Sequence, residues 1–342
     1  MSKTKKIFLA ISFFLLILGS WQADLLAYAF LQAQGQLRIV WNTQKIETVI
    51  AQKSLPDSLL KKLDIVQKAK KYAIDSLGLS TSQSYQTVFD QKGKPVLWVV
   101  TASLPYELSA YQWDFPILGT FSYKGFFEEK KAQNLAKNLE KEGFDVRVGT
   151  VNAWSTLGWL PDPILSNTLY QQEGELAELV IHELTHGTLY IKDSVDFNEN
   201  LATFVGVQGA LRFLENEYGK NHQFYQKYLE IRHDDSLFTD FVLRAAQKLD
   251  SVYQKNAQVS EKIKKKNKEI FIKKISESLD TLQFYDTSYK SVFSKKMPNN
   301  AYFMGYKRYN SQQDFFKKEF ENDFKSNFPL YFKHLKGKYK SL

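Results

Sequence analysis

The sequence predicts an α+β protein that is predominantly helical, with a small sheet ahead of a long helical portion. Three observations predict it. Short apolar and β-branched runs bounded by Pro and Gly lie before Asn152, helical periodicity dominates beyond Gly174, and only the segments near Pro298 and Pro329 interrupt it. The balance of 44% hydrophobic and 24% charged residues over 342 positions is that of a globular chain. No internal repeat or long Gly/Ser linker divides it, so residues 33–342 read as one domain. Its parts are a sheet-containing portion 33–170, a central helix pair 173–217 and a helical portion 218–342.

Residues 1–32 read as a separate segment. Lys3, Lys5 and Lys6 precede an apolar run from Ile7 to Gly19, the layout of an export signal. The following WQADLLAYAF extends that run, so the segment is expected to be either a cleaved signal or an uncleaved membrane anchor. Both place the protein in the cell envelope, anchored to the inner membrane or periplasmic. The chain has no cysteine, which excludes disulfides, thiol chemistry and a lipid-modified amino-terminal cysteine. Its formal charge of +9 comes mostly from lysines scattered along helices, so no nucleic-acid partner is expected. The densest run, Glu261–Asp280, carries Ile263, Ile270, Ile272 and Ile275 at near-helical spacing and reads as an amphipathic helix with a solvated lysine face.

Taken in order, Leu59, Leu60, Leu63, Val66, Ala69 and Tyr72 form the apolar stripe of a helix from Asp57 to Leu77, closed by Gly78. KPVLWVVTAS and PILGTFSYKG read as strands. FFEEKKAQNLAKNLEKEGFDVRVGTV reads as a helix closed by Gly143 and a strand from Asp145 to Val151. Asn152–Ser166, with Trp154 and Trp159, is expected to line a cleft for an extended peptide.

The informative stretch is LVIHELTHGTLYIKDSVDFNENLATFVG, Leu179–Gly206. On a helix from Glu175 to Tyr190, His182 and His186 are an i, i+4 pair able to share one cation, with Glu183 about 100° round from His182. Asp196 reads as the N-cap of a second helix, with Glu199 in capping-box position. The loop between the helices is then about five residues, which makes them antiparallel neighbours. His186 and Glu199 come out at similar depths, roughly 5–7 Å from the turn, on helices about 8–10 Å apart. Two histidines and Glu199 make a three-ligand zinc site with an open fourth position, the arrangement of catalytic zinc. Asp196 and Asp193 are alternative ligands, and Thr203, one turn after Glu199, could orient one.

HELTH followed by NE opening a second helix resembles the glutamate-zincins, the thermolysin-like metallopeptidases and their aminopeptidase relatives. AWSTLGWLPDPIL, IHELTHGTLY, DFNENLATFVG and NNAYFMGYKRY more closely resemble a family of bacterial envelope proteins described as predicted aminopeptidases, over about Tyr28–Tyr309. The resemblance implies a zincin-like catalytic domain, one zinc per chain and a peptide substrate. The chain departs from that family in lacking a lipoprotein cysteine, and from thermolysin-like enzymes in its shorter gap from His186 to Glu199. A metzincin site is excluded, because its third histidine would fall at Lys192.

The expected function is therefore a zinc-dependent envelope peptidase, an aminopeptidase in the family's pattern, with Glu183 as general base and then general acid. Asp162, Glu175 and Glu178 are candidates to pair a substrate ammonium. Asn198 and Tyr309 are further candidates near the site, Tyr309 together with Tyr302 and Tyr306 as donors to the oxyanion. The alternatives are a metalloendopeptidase and a non-catalytic scaffold that retains the helix pair.

Overall fold

The computed structural model describes residues 23–115, 119–151, 160–294 and 296–340. The chain divides into two units, Met1–Thr43 and Gln44–Leu342. The first contains helix α1 (Ala23–Trp41), on which Leu26, Phe30 and Trp41 are exposed. Most of the leader segment lies outside the described residues. Among those described, no helix is long and apolar enough to cross a membrane.

The short strand β1 (Thr43–Lys45) spans the division, and from there the second unit is mostly helical with small sheets. After α2 (Ile46–Gln52) comes α3 (Asp57–Asp75), which buries Leu59, Leu63, Val66, Ala69 and Ala73 as its stripe requires. It ends two residues before the expected Leu77. Gly78, at φ +75°, turns the chain so that the Leu79 amide returns to the carbonyl of Ala73 at 3.1 Å, which closes the helix early.

In place of one sheet the described residues form three small ones. β2 (Thr87–Phe89) pairs in parallel with β8 (Ile164–Leu165), Val88 opposite Ile164. β3 (Trp98–Ser103) is the centre of an antiparallel trio with β6 (Lys124–Phe126) and β7 (Asp145–Thr150), and α4 (Glu129–Lys141) follows β6. β4 (Trp113–Phe115) and β5 (Gly119–Phe121) form the third. The segment read as the strand PILGTFSYKG is thus split between β5 and β6, with residues 116–118 outside the described set. The break has a visible cause: Arg308 donates to both the hydroxyl and the carbonyl of Ser122, at 3.0 and 3.2 Å, withdrawing that carbonyl from any ladder.

The helices that matter for the site are α5 (Glu173–His186) and α6 (Val195–Tyr218), followed by α7 (Gln223–Lys255) and α8 (Glu261–Ser278). Three shorter helices, α9 (Asn300–Asn310), α10 (Gln313–Asn322) and α11 (Phe328–Lys338), complete the unit. The main core joins α3, α5 and α6 to Phe316, Phe320, Phe328 and Phe332. A second core gathers Phe238, Val242 and Leu249 of α7 with Ile275, Phe293 and Phe303. The lysine-rich α8 is less solvated than its pattern suggests. Ile263 and Ile270 are exposed, whereas Lys268 is buried and donates to the Asp145 carboxylate at 2.5 Å. That carboxylate also accepts the Asn300 amide at 2.7 Å, tying α8, β7 and the start of α9 together.

Candidate metal centre

α5 begins where the side chain of Gln172 and that of Glu175 cap each other's backbone amides, a reciprocal box that satisfies two orphan donors. Its buried residues, Leu176, Ala177, Val180, Ile181, Leu184 and Thr185, face the main core. The remaining stripe, Glu178, His182 and His186, lies at four-residue intervals and turns toward α6. The helix stops at His186 itself, four residues before the expected end. Gly187 takes over as C-cap and the Thr188 hydroxyl donates back to the carbonyl of Leu184 at 2.8 Å.

The loop that follows runs from Gly187 to Ser194, longer than expected, and is pinned from both sides. Asn198 accepts the Ile191 amide at 2.9 Å and donates to the Ile191 carbonyl at 2.7 Å. Asp193, at φ +58°, accepts the Thr120 amide at 2.9 Å. The N-cap of α6 is Ser194, so Asp196 sits in the first turn and no capping box forms with Glu199. Asp196 instead faces Arg308 at 4.0 Å. Both depth estimates therefore shift, His186 outward by about one turn and Glu199 inward by about half a turn, and the two side chains still meet.

Closeness of the helices makes the meeting possible. A Cβ on Gly206 would stand 3.0 Å from the Glu178 carbonyl oxygen and 3.3 Å from the His182 Cβ, a fit so tight that any larger residue would push the helices apart by a few tenths of an ångström. Glu199 reaches the histidines and Gly206, farther along α6, lies against Glu178 and His182, which fixes the two helices as antiparallel. We expect Gly206→Ala to destabilise the protein by about 1–3 kcal/mol, because backbone and a buried ring carrier must yield. Thermal unfolding checks it: the melting temperature of Gly206→Ala is expected to fall below that of the unaltered chain.

At the junction, the Nε2 atoms of His182 and His186 are 3.2 Å apart, and each is 3.4 Å from the same oxygen, Oε2 of Glu199. Glu199 and His186 are buried, 7% and 6% exposed, and His182 is slightly more open. Burial alone would raise the Glu199 carboxyl. The imidazoles of His186 and His182 outweigh it and hold the group well below the usual carboxylate range. Bonds of about 2.0–2.2 Å at tetrahedral angles set ligand atoms roughly 3.3–3.5 Å apart. The three separations seen here fit that spacing. Three electron-rich atoms so close need a proton or a cation among them, and one divalent ion answers all three. Among the described residues this trio is the one cluster of histidine and acid donors arranged to hold a metal ion.

Glu183 is half-buried and is not one of the converging donors. Its charge bears on two phenols, Tyr85 and Tyr309. Tyr309, at the end of α9, lies with its ring centroid 6.4 Å from that of His182. The charge of Glu199, then burial, keeps its hydroxyl protonated far above neutral pH. Tyr302 and Tyr306 are turned into the second core instead. Thr203 is half-buried and makes no hydrogen bond to the three donors among the described residues. Of the acids considered for a substrate ammonium, Glu175 is engaged in the cap. Glu178 accepts the Tyr228 hydroxyl at 2.6 Å and Arg232 at 3.2 Å. Asp162 is buried beside Tyr85, its carbonyl accepting the Tyr85 amide at 2.7 Å. Trp154 and Trp159 lie outside the described residues.

Three neighbours escaped the sequence reading. Tyr190 packs its ring 5.8 Å from His186, Tyr123 feels the charge of Glu199, and Arg308 lies over Tyr123 at 5.5 Å. With nineteen tyrosines in the chain, spacing alone singles out none of them.

Fold and site together define a mostly helical α+β protein carrying a candidate metal-binding helix pair. The chain belongs to the family described as "Putative aminopeptidase", which it matches over residues 27–340. No curated protein and no solved structure matches it. The family's name points to hydrolysis of peptide bonds.

Proposed function

We propose that the protein is a zinc-dependent peptidase of the aminopeptidase kind, with a zincin-type site of His182, His186 and Glu199 and with Glu183 as the proton carrier. The observation that carries the reading is the convergence of three donor atoms, 3.2 to 3.4 Å apart, on two antiparallel helices. Zinc, when bound there, supplies Lewis-acid polarisation of the scissile carbonyl and lowers the pKa of water for attack. The protein's own residues do the rest. Glu183 takes the proton of the attacking water and hands it to the departing amine. Tyr309, whose ring lies 6.4 Å from that of His182, would donate to the oxygen that gains charge. Asp162 shares the neighbourhood of Tyr85 with Glu183, which supports it as the acid that pairs a substrate ammonium. Lys3, Lys5 and Lys6 ahead of the apolar run from Ile7 support export to the envelope and a membrane contact through that segment.

Two measurements on the purified chain test the reading: its zinc content, and cleavage of one peptide in free and acetyl-blocked form. We expect one zinc per chain and cleavage that blocking reduces by at least about tenfold, because the blocked end has lost its charge. Equal cleavage of both forms makes the enzyme an endopeptidase. A folded chain with no zinc and no cleavage is the scaffold alternative and overturns the proposal.

A further inference from the structure

Glu199 stands between two asparagines, and the three side chains Asn198, Glu199 and Asn200 are all buried, at 2%, 7% and 0% exposure. Packing alone does not select three consecutive polar residues in the buried second turn of a helix. Asparagine is a poor helix former, and a buried amide costs free energy unless its hydrogen bonds are made. Here they are made, and each asparagine reaches a different piece of the chain.

Two residues apart on α6, the asparagines stand about 200° apart round the helix and leave it on nearly opposite sides. Asn198 closes on the loop after α5: its oxygen accepts the Ile191 amide at 2.9 Å and its nitrogen donates to the Ile191 carbonyl at 2.7 Å. Ile191 is the neighbour of Tyr190, itself buried, whose ring lies 5.8 Å from that of His186. Asn200 closes on the junction of α9 and α10. Its nitrogen donates to the Arg308 carbonyl at 2.5 Å, and its oxygen accepts the Gln312 amide at 2.8 Å. The Gln313 side chain adds a bond to the Asn200 carbonyl at 3.0 Å. Arg308 is the neighbour of Tyr309, whose ring lies 6.4 Å from that of His182. This second link joins residues 108 apart in sequence, so connectivity alone does not keep Tyr309 at the site.

Each asparagine thus ties α6 to the backbone beside one tyrosine, and each tyrosine lies against one of the two histidines. A histidine ligand must have its ring orientation fixed as well as its place, and neighbours outside the ligand set do that. We propose that Asn198 and Asn200 are positioning residues of the metal centre, Asn198 seating Tyr190 against His186 and Asn200 seating Tyr309 against His182. The inference rests on the metal-binding part of the reading above and not on the peptide chemistry.

Zinc affinity of the full chain, measured by competition with a chromophoric chelator, tests this without turnover. We expect Asn198→Ala and Asn200→Ala each to weaken zinc about tenfold, the low end of the effect of losing an outer partner. Tyr190→Leu and Tyr309→Leu should do the same. The pairings decide the matter. Asn198→Ala with Tyr190→Leu, and Asn200→Ala with Tyr309→Leu, should lose little more than either change alone, because each asparagine acts through its own tyrosine. The crossed pairs, Asn198→Ala with Tyr309→Leu and Asn200→Ala with Tyr190→Leu, should multiply their losses. An asparagine that serves only the fold lowers the melting temperature but makes its matched and crossed pairs alike, and that result overturns its assignment. Unchanged zinc affinity in the alanine variants overturns it equally. Should an alanine variant not fold, Asn198→Asp or Asn200→Asp replaces it in the same pairs, keeping the accepted bonds and losing the donated ones. A chain that takes up no zinc ends the metal reading and this inference together. One that binds zinc but cleaves no peptide ends the peptidase reading alone.

Discussion

Glu183→Gln is expected to lower peptide hydrolysis by about 10²–10⁴-fold while leaving zinc content and melting temperature as they were. The amide keeps the shape of the acid, so a half-buried helix position loses no packing. What it loses is the ability to accept a proton. The converging donors belong to His182, His186 and Glu199, and none of them is Glu183, so the metal is expected to stay. The charge that reaches Tyr85 and Tyr309 also disappears, which removes a reason for those phenols to resist ionisation but leaves both protonated, since burial bears on each. Kinetics of the variant beside metal analysis decide the matter. A fully active Glu183→Gln removes Glu183 from the mechanism, and a variant that sheds its zinc makes Glu183 a ligand rather than a base.

The helix pair was legible because its signals are local. A four-residue histidine repeat on an apolar-faced segment needs no knowledge of the rest of the chain, and a second helix within the next ten residues has to fold back beside the first. Helix ends are less legible because distant groups set them. Thr188, read as helix, donates to Leu184 and accepts the Ser80 amide at 2.9 Å, a contact 108 residues away in sequence. Asp196, a good cap by type, is drawn toward Arg308, so Ser194 becomes the boundary. The sheets failed for the same reason. β2 and β8 are short and find each other across more than seventy residues, and Ser122 breaks a strand for the sake of an arginine on α9. Burial of Lys268, inside a run of exposed lysines, depends on Asp145 and is invisible to periodicity.

Glu199→Ala should remove the metal outright rather than slow the chemistry. Loss of an outer partner of a ligand typically weakens zinc by 10–100-fold, and loss of a ligand itself should exceed that, on the order of 10²–10⁴-fold. The imidazoles cannot compensate. Their Nε2 atoms face each other at 3.2 Å, and the oxygen that would balance their shared cation is gone. His186 is further constrained, since its Nδ1 is buried and has no hydrogen-bond partner among the described residues, and turning the ring over would bring no better ligand to the site. The metal-free fold bears a smaller cost, about 1–3 kcal/mol, from buried nitrogens left without their acceptor. Melting in chelator separates the two effects: zinc is expected to raise the melting temperature of the unaltered chain through linkage and to leave that of Glu199→Ala where chelator puts it. Glu199→Gln, with an oxygen but no charge, should fall between. A Glu199→Ala chain that binds zinc as tightly as before would mean that the ion, if held at all, is held without the second helix.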